Sequence, residues 1–491
     1  MRSGKRAVHV QPKRGITPRL GLFHWANRAV SKLKTVGLKF EADPVHDFRV
    51  AIRHCRSMAE GLRTIDPSPE WKQFRDLGKP LFSALGELRD TQIMLEWLSN
   101  LTSESDPVRT SLATALSDRE HELKRVANGA LEEFTAKRWL KLAENLDERA
   151  YRLPPGGRIF QNLALERWID GYQLHEIAMR TRRDEDLHRL RIGIKRFRYT
   201  VENFLPNQHR KWNRNLKRMQ DLLGEVHDLD VLRDEIAMHL ASSASVEQLN
   251  SRIQIEREQR IAEYESAMIG RRALWNVWRQ GLPSGRGLSL AVNAKLQHWS
   301  RVLDPKPDQS RRIAKISVNL WSGLRRELGW AFDRREPVLL RTAALFHNIG
   351  ANKRKKNRDS FRTKMVGKFS VPVGWTAEEM RVVRLVSHYG RGPLPSSADN
   401  EVVSLSNSDR LRVMKLAGIV RLADVLETTG SAGLNVHVCF ERNSLSILVP
   451  GFDPLSPLAI EIAAARHLLE VALERSILAL PAPIHDLSEG D

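Results

Sequence analysis

The chain has 491 residues, 41% of them hydrophobic, which suits a globular protein but is too long for a single hydrophobic core. Its 79 Lys and Arg residues against 59 Asp and Glu residues give a net charge of +20, which favours a polyanionic partner without identifying it. Two distant cysteines, no long apolar run and no apolar segment after the basic N-terminus argue against a disulfide framework, a membrane span and a secretory signal, so a cytoplasmic location is expected.

A basic stripe marks the helix predicted over Val45 to Arg56, which follows a basic leader ending near Pro18. One histidine and three arginines lie at offsets of 3, 7 and 10 residues, which correspond to about 300°, 340° and 280° round the helix axis. All four side chains therefore fall within one narrow arc, and an apolar stripe about 100° away can pack on the core of a helical bundle. The basic stripe is His46, Arg49, Arg53 and Arg56, and the apolar stripe is Val45, Phe48, Ile52 and Cys55.

Both stripes occur a second time in Leu187 to Arg198, at a constant shift of 142 residues (46 to 188). Chance seldom repeats a basic pattern and an apolar pattern together, so the sequence predicts an internal duplication. The second basic stripe is His188, Arg191, Lys195 and Arg198, and the second apolar stripe is Leu187, Leu190, Ile194 and Phe197.

Another repeated segment, which we call the LGE segment after its Leu-Gly-Glu sequence, follows each basic helix. The segment Leu85 to Asp90 matches one that ends at Asp228, and the smaller shift of 138 residues (86 to 224) indicates a short deletion in the intervening loop. On a helix, a lysine that precedes this segment shares one face with the glycine and the arginine or histidine of the segment, and the glycine lets a ligand or another backbone approach closely. These faces are Lys79, Gly86 and Arg89 in the first copy and Lys217, Gly224 and His227 in the second.

The two copies define an N-terminal helical domain over residues 18–285, with halves at about 18–153 and 158–285. Proline and glycine concentrate at junctions, among them Leu153 to Gly157 between the halves and Gln280 to Gly287 at the end. Within each copy, short loops between the basic helix and the second repeated segment predict antiparallel neighbours.

The C-terminal domain, over residues 288–485, is also predicted to be mainly helical. A capping threonine with Glu379 three residues later begins one helix, and two short segments rich in β-forming residues predict a hairpin. The fold class is therefore all-α, with duplicated helical bundles and a mainly helical C-terminal domain that contains a small β-hairpin. The predicted helices are Ser310 to Leu328, Pro337 to Phe346, Thr376 to His388 and Ala459 to Leu478, the predicted strands are Asn435 to Phe440 and Leu445 to Val449, and a highly basic loop follows Gly350.

The repeated basic stretches and the two LGE segments together resemble the CHAD family, the conserved histidine α-helical domain, over roughly residues 18–285. The resemblance implies two helical bundles related by a pseudo-two-fold axis, with both basic faces lining a central channel or groove. It also implies binding of inorganic polyphosphate and, in some members, location on polyphosphate granules. His227 departs from the arginine expected at its position. The resemblance assigns polyphosphate binding to His46, Arg49, Arg53, Arg56, Lys79, Arg89, His188, Arg191, Lys195, Arg198, Lys217 and His227.

The C-terminal domain resembles the HD-type helical domain at the end of exopolyphosphatase/guanosine pentaphosphate phosphohydrolase proteins. In an active HD phosphohydrolase, His and Asp ligands from several helices hold divalent metal that activates water. Here the dyad is His347-Asn348, and an amide is a poor substitute for a carboxylate that bridges metal ions. We therefore expect a degenerate domain with no metal, no cofactor and no catalytic residues. The matching pieces are Arg341 to Gly350, Ser387 to Pro395 and Leu416 to Glu427.

Simpler interpretations stand beside these assignments. The basic stripes can be ordinary solvent-exposed helix faces, and a lone histidine such as His347 is more often a hydrogen-bonding residue at a helix end than a metal ligand. The acidic residues of the repeated segments are metal ligands in one interpretation, but orienting nearby Arg and Lys side chains is the more common role. These residues are Glu87, Asp90, Glu225 and Asp228, and the residues Lys353, Arg354, Lys355 and Lys356 form either an accessory phosphate-binding patch or a solvent-exposed loop.

The leading hypothesis is non-catalytic binding of inorganic polyphosphate by the paired basic faces, with polyphosphate granule proteins as further partners and no membrane. One alternative is a metal-dependent phosphohydrolase acting on polyphosphate or a nucleotide. Another is a nucleic-acid-binding protein, although the sequence has no recognisable groove-entering motif. Histidines such as His46 and His188, placed inside a positive cluster, should take up protons when a polyanion binds, so binding should be tighter near pH 6 than near pH 8.

Overall fold

In a computed structural model of the protein, residues 21–331, 333–391, 394–396, 400–429, 436–441 and 444–482 are described, a few of them by their backbone alone. The described residues form 19 helices and three strands, which confirms the all-α class with a small sheet. The chain divides into two units, Met1–Ala291 and Val292–Asp491. Within the described ranges, none of the helices combines the length and the hydropathy needed to cross a bilayer.

Six helices make up the first half of the N-terminal unit. The helix with the first basic stripe is α2, and the LGE segment lies on α4. A short helix, α3, lies between them, where the sequence predicted only a loop. The bounds are α1 Leu22–Lys39, α2 Ala42–Arg63, α3 Glu70–Leu77, α4 Lys79–Leu101, α5 Pro107–Glu133 and α6 Ala136–Tyr151.

The second half repeats this order with one simplification. The second basic stripe lies on α8, and a single helix of 34 residues, α9, begins after only Leu205 and contains the second LGE segment. The shorter connection in this copy therefore makes one continuous helix out of the region that holds α3 and α4 in the first copy. The bounds are α7 Arg158–Thr181, α8 Asp184–Phe204, α9 Pro206–His239, α10 Ala244–Met268 and α11 Leu274–Gln280.

The two halves share one hydrophobic core. Side chains of α4 and α5 pack with side chains of α9 and α10, so the LGE helices of both copies meet. The basic helices α2 and α8 also pack against each other, with both predicted apolar stripes buried. Contacts between equivalent helices are what an internal two-fold relation would produce. The shared core contains Met94, Leu98, Val108, Leu112, Leu116, Leu229, Leu232, Ile236, Val246, Leu249 and Ile253.

The C-terminal unit is helical with a small three-stranded sheet, and α12, Gly285–Leu303, crosses the boundary between the units. The capping box of Thr376 and Glu379 is confirmed at the start of α16, and so is the antiparallel hairpin of β1 and β2. The further elements are α13 Pro307–Glu327, α14 Glu336–Phe346, α15 Lys355–Gly367, α16 Ala377–Tyr389, α17 Asn400–Val403, α18 Asn407–Glu427, β1 His437–Glu441, β2 Ser444–Val449, α19 Pro457–Leu473 and β3 Ile477–Pro481.

Two predictions for this unit were wrong. The highly basic segment after Gly350 is not a loop throughout, because Lys355–Gly367 forms α15. The last helix does not reach Leu478: it ends at Leu473, and Ile477–Pro481 forms a third strand parallel to β2. In both cases neighbouring elements decide the conformation, since α15 packs on α16 and β2 supplies the hydrogen bonds of β3.

Candidate anion-binding site

Packing of α2 on α8 brings cations of both halves into one cluster. Burial lowers the pKa of Lys195 to about 7, and the charge of Arg191, on the same helix, adds to the effect. Arg53 and Arg49, from the other half, lower it further. The pKa of Arg49 is itself lowered, first by burial and then by cations that include Arg53 and Arg191. We call Arg49, Arg53, Arg191 and Lys195 the central cluster.

Aromatic rings support these cations from the side. The guanidinium carbon atoms of Arg53 and Arg198 each lie 5.5 Å from the ring centroid of Tyr199. Arg49 and Arg56 lie 5.5 Å and 4.1 Å from the centroid of Phe82. Such contacts attract a cation electrostatically without using its N–H donors. The rings therefore fix the side chains while leaving hydrogen-bonding capacity.

Several of these guanidinium groups have a buried N–H that donates a hydrogen bond to no described residue. Most buried polar atoms in proteins do find a partner, and an unmet donor costs about 1–3 kcal/mol. A phosphate oxygen entering the cluster would accept hydrogen bonds from these N–H groups. Arginine suits phosphate particularly well because its N–H groups form a planar fork. The atoms are Arg49 Nη1, Arg53 Nε, Arg56 Nη1, Arg191 Nε and Arg198 Nε.

The two predicted histidines of the second half, His188 and His227, form a close pair beside the cluster. Nδ1 of His188 lies 3.3 Å from Nδ1 of His227. Burial lowers the pKa of His188, with Arg191 adding to the effect, and the same causes lower the pKa of His227 to about 4. His227, which departs from the family pattern, therefore lies at the site and is neutral at pH 7. His46 instead is exposed, 3.7 Å from Asp47, and no described contact links it to the cluster.

The remaining predicted positions differ in how they relate to the cluster. Arg89 donates a hydrogen bond from Nη1 to Glu96 Oε1 at 2.9 Å and contributes to lowering the pKa of Arg49. Lys217 is exposed and lines an open cleft between α9 and α10. Lys79, the first residue of α4, is exposed, and none of its described contacts reaches the cluster. The assignment of all twelve residues to phosphate binding stays a prediction.

The two copies hold equivalent arginines by different means. Arg56 stacks on Phe82, whereas its counterpart Arg198 donates to Gln220 Oε1 at 2.9 Å, and Gln220 occupies the position of Phe82. The motif glycines differ as well. A Cβ on Gly86 would lie 3.0 Å from Nη1 of Arg49, whereas a Cβ on Gly224 would meet nothing within 4 Å. Gly86 thus admits an arginine side chain, and the space at Gly224 is open.

Sequence reasoning missed the residues that support the cations. Tyr199 follows Arg198 directly, but its counterpart in the first copy is Ser57, so the repeat gives no signal for it. Phe82 and Gln220 occupy equivalent positions but are different residues, so the repeat gives no signal for them either. A comparison of the copies finds only what both retain, whereas these supporting residues became visible only from the packing of α2, α4, α8 and α9.

The acidic residues near the cluster take several roles. Oδ1 of Asp90 lies 4.0 Å from Nη2 of Arg49, and Glu225 accepts a hydrogen bond from Arg260 Nε at 2.9 Å. Burial raises the pKa of Asp228 to about 6 although Arg191 opposes the shift, and burial also raises the pKa of Asp221. Glu87 is exposed. Among the described residues, no group of three or more His, Cys, Asp or Glu side chains is arranged to hold a metal ion.

The fold and the site together define a class: a duplicated helical domain whose two basic helix faces converge on one cationic cluster. Residues 30–237 match the family model of the CHAD domain, so this segment is a CHAD domain. A similar solved structure, described as the CHAD domain from the plant Ricinus communis, is 23% identical, and the match covers 54% of this chain and 90% of that chain with a TM-score of 0.38. No curated protein matches the chain. The HD-type character of the C-terminal unit stays a prediction.

The predicted HD-like dyad lies at the end of α14, where His347 is fully buried. Its Nε2 lies 3.1 Å from Asp424 Oδ2 on α18. Arg391 donates from Nη1 to Asn348 Oδ1 at 2.5 Å, and its Nε lies 3.9 Å from Asp424 Oδ2. Asn348 in turn donates from Nδ2 to Ser310 Oγ at 3.1 Å.

This donor set does not fit a divalent metal ion. The guanidinium of Arg391 already supplies a positive charge between Asn348 and Asp424. Although burial opposes it, the contact with His347 and the charge of Arg391 lower the pKa of Asp424. The amide of Asn348 brings no negative charge, so the group as a whole has a single carboxylate where a metal site needs more.

The basic segment beside this group contributes to structure as well. Arg362 is almost fully buried and donates from Nη1 to the carbonyl oxygen of His347 at 3.1 Å, and Arg358 donates to the carbonyl oxygen of Ala351 at 3.1 Å. Lys353 and Arg354 are exposed before α15, and Lys355 and Lys356 are its first residues, described by backbone alone. Their assignment as an accessory phosphate-binding patch stays a prediction.

Changing two side chains should convert the arginine-filled group into a metal site. The double variant Asn348→Asp with Arg391→Met supplies a second carboxylate and removes the competing cation, so we expect it to bind Mn²⁺ at micromolar concentrations, measured by calorimetry. Asn348→Asp alone is the matched control, because Arg391 would pair with the new carboxylate and exclude the metal. Mn²⁺ binding by the unmodified group, or none by a folded double variant, would contradict this account.

Proposed function

We propose that the N-terminal unit binds inorganic polyphosphate without catalysis, through the central cluster and the basic residues around it. The supporting observation is that arginines from both copies converge on one site, each with one buried N–H that no described residue accepts. A linear, flexible polyanion can place successive phosphates against successive cations, whereas the phosphates of duplex DNA are fixed on a rigid cylinder. The family's association with polyphosphate supports the same conclusion.

The C-terminal unit then acts as an accessory binding or interaction module. An arginine between Asn348 and Asp424 argues against the metal-assisted hydrolysis that an active HD site performs. Association with polyphosphate granules, which the family resemblance suggests, belongs to the same proposal, since a granule presents the polymer at high density.

A salt titration with long-chain polyphosphate tests the proposal on the full chain. If about six phosphates are engaged, the logarithm of the binding constant should fall with the logarithm of salt concentration at a slope of about −4. Duplex DNA at equal phosphate concentration should displace little of the bound polymer. Easy displacement by DNA would favour a nucleic-acid-binding protein, and release of inorganic phosphate on adding Mn²⁺ or Mg²⁺ would favour a phosphohydrolase.

A further inference from the structure

Two carboxylates at equivalent positions of the two copies lie beside the central cluster. Asp90 on α4 and Asp228 on α9 are separated by the same 138 residues (90 to 228) that relate the LGE segments. Asp90 lies 4.0 Å from Arg49. Asp228 is half-buried in the field of Arg191 and Lys195, and the charge of Asp90 acts on it as well. Each copy thus places one acid against the cations.

Asp90 does not hold a cation by a hydrogen bond, and the cations act on Asp228 through their charge alone. A separation of 4.0 Å is too long for a hydrogen bond, and Nη1 of Arg49 stays without an acceptor. Contacts that do orient an arginine here are shorter, such as the 2.9 Å hydrogen bonds of Arg89 to Glu96 and of Arg198 to Gln220. The rings of Phe82 and Tyr199 provide the remaining support described above.

We propose that Asp90 and Asp228 are built-in competitors of phosphate, which offset part of the positive charge of the free cluster and weaken polyanion binding. The inference rests on the proposed function and goes one step further, because it states that these acidic residues lower the affinity for polyphosphate. A positioning role would make their loss harmful to binding, whereas a competing role makes it beneficial. Coulomb repulsion between each carboxylate and a phosphate held by the same cations supplies the physical reason.

Proton uptake should accompany the relief of this repulsion at Asp228. The charges that face it are Arg191 and Lys195 from α8, Asp90 from α4 and Glu225 from its own helix. Burial already raises the pKa of Asp228 to about 6, and a bound polyanion must raise it further. At pH 7 the free carboxylate is mostly ionised, so binding should add a fraction of a proton to it.

Neutralising both acids in the full chain tests whether the carboxylates lower or raise the affinity for polyphosphate. We expect Asp90→Asn with Asp228→Asn to bind long-chain polyphosphate about tenfold more tightly at pH 7 than a control with the same net charge, since one factor of ten corresponds to about 1.4 kcal/mol. The control is Asp118→Asn with Asp234→Asn, two exposed acids on α5 and α9 without described contacts to the cluster. Weaker binding than the control would establish the positioning role instead, and equal binding would remove any role.

A second measurement reports on Asp228 itself. Calorimetry in buffers of different ionisation enthalpy should show less proton uptake on binding by Asp228→Asn than by the wild type, and equal uptake would overturn the assignment for this residue. If Asp228→Asn does not fold, Asp90→Asn alone, which changes an exposed carboxylate, still tests the sign of the effect on affinity. Absence of polyphosphate binding by the wild type would refute the proposed function itself, which is a distinguishable result.

Discussion

Replacing Arg49, Arg53, Arg191 and Arg198 together by alanine should weaken polyphosphate binding roughly a thousandfold at low salt, taking about 1 kcal/mol for each lost phosphate contact. The four side chains come from both copies and retain unmet N–H donors. Because each lost contact also removes about 0.7 from the salt slope of a flexible polyanion, the slope should become shallower by roughly three. A salt titration of the variant measures both quantities.

The fold of this variant should survive. Burial and neighbouring cations lower the pKa of Arg49, which shows that its positive charge is unfavourable where it lies. Removing the charges of Arg49, Arg53 and Arg191, which repel one another, offsets the loss of the ring contacts and of the Arg198 to Gln220 hydrogen bond. Circular dichroism and thermal unfolding should therefore match the wild type closely.

A matched variant separates the site from the net charge. Arg63, Arg138, Arg271 and Arg272 are exposed residues of the same unit, and their replacement by alanine removes the same four charges. This control should lose only the small, general attraction of a basic surface. An equal loss of affinity in both variants would mean that net charge alone attracts the polymer and that the central cluster is not the binding site.

The sequence predicted the parts of this structure that depend on local periodicity and repetition. The apolar stripes through Phe48 and Phe197 are buried as predicted, because helical spacing alone decides which side chains share a face. The contact of α2 with α8 joins equivalent helices of the two copies, as an internal duplication favours.

Features that depend on contacts between distant elements could not be predicted from the sequence. The proximity of His188 and His227 joins two helices, and nothing in either segment specifies the 3.3 Å separation. The strand Ile477–Pro481 continues an apolar helical pattern in sequence and becomes a strand because β2 pairs with it. Asp424 and Arg391, which surround the His347-Asn348 dyad, come from separate segments whose meeting the sequence did not show.

Polyphosphate binding should be about tenfold tighter at pH 6 than at pH 8 at fixed ionic strength, with Lys195 as the main cause. Burial and the charges of Arg191 and Arg53 bring the pKa of Lys195 to about 7. Its ammonium group is therefore roughly nine-tenths present at pH 6 and one-tenth at pH 8, so the cluster gains nearly one positive charge as the pH falls. Asp228, whose pKa is about 6, loses negative charge over the lower part of the same range and acts in the same direction.

The sequence predicted this direction from histidines, but the structure transfers the effect to a lysine. His227, with a pKa of about 4, stays neutral throughout this range, and His46 lies away from the cluster. Lys195→Arg keeps a permanent charge, so it should bind at pH 8 almost as tightly as the wild type does at pH 6. The control Lys137→Arg, at an exposed lysine outside the predicted binding residues, should keep the full pH dependence. Full pH dependence in Lys195→Arg would assign the proton to another group, and a wild type with equal affinities at both pH values would show that the cluster is fully charged before the polymer arrives.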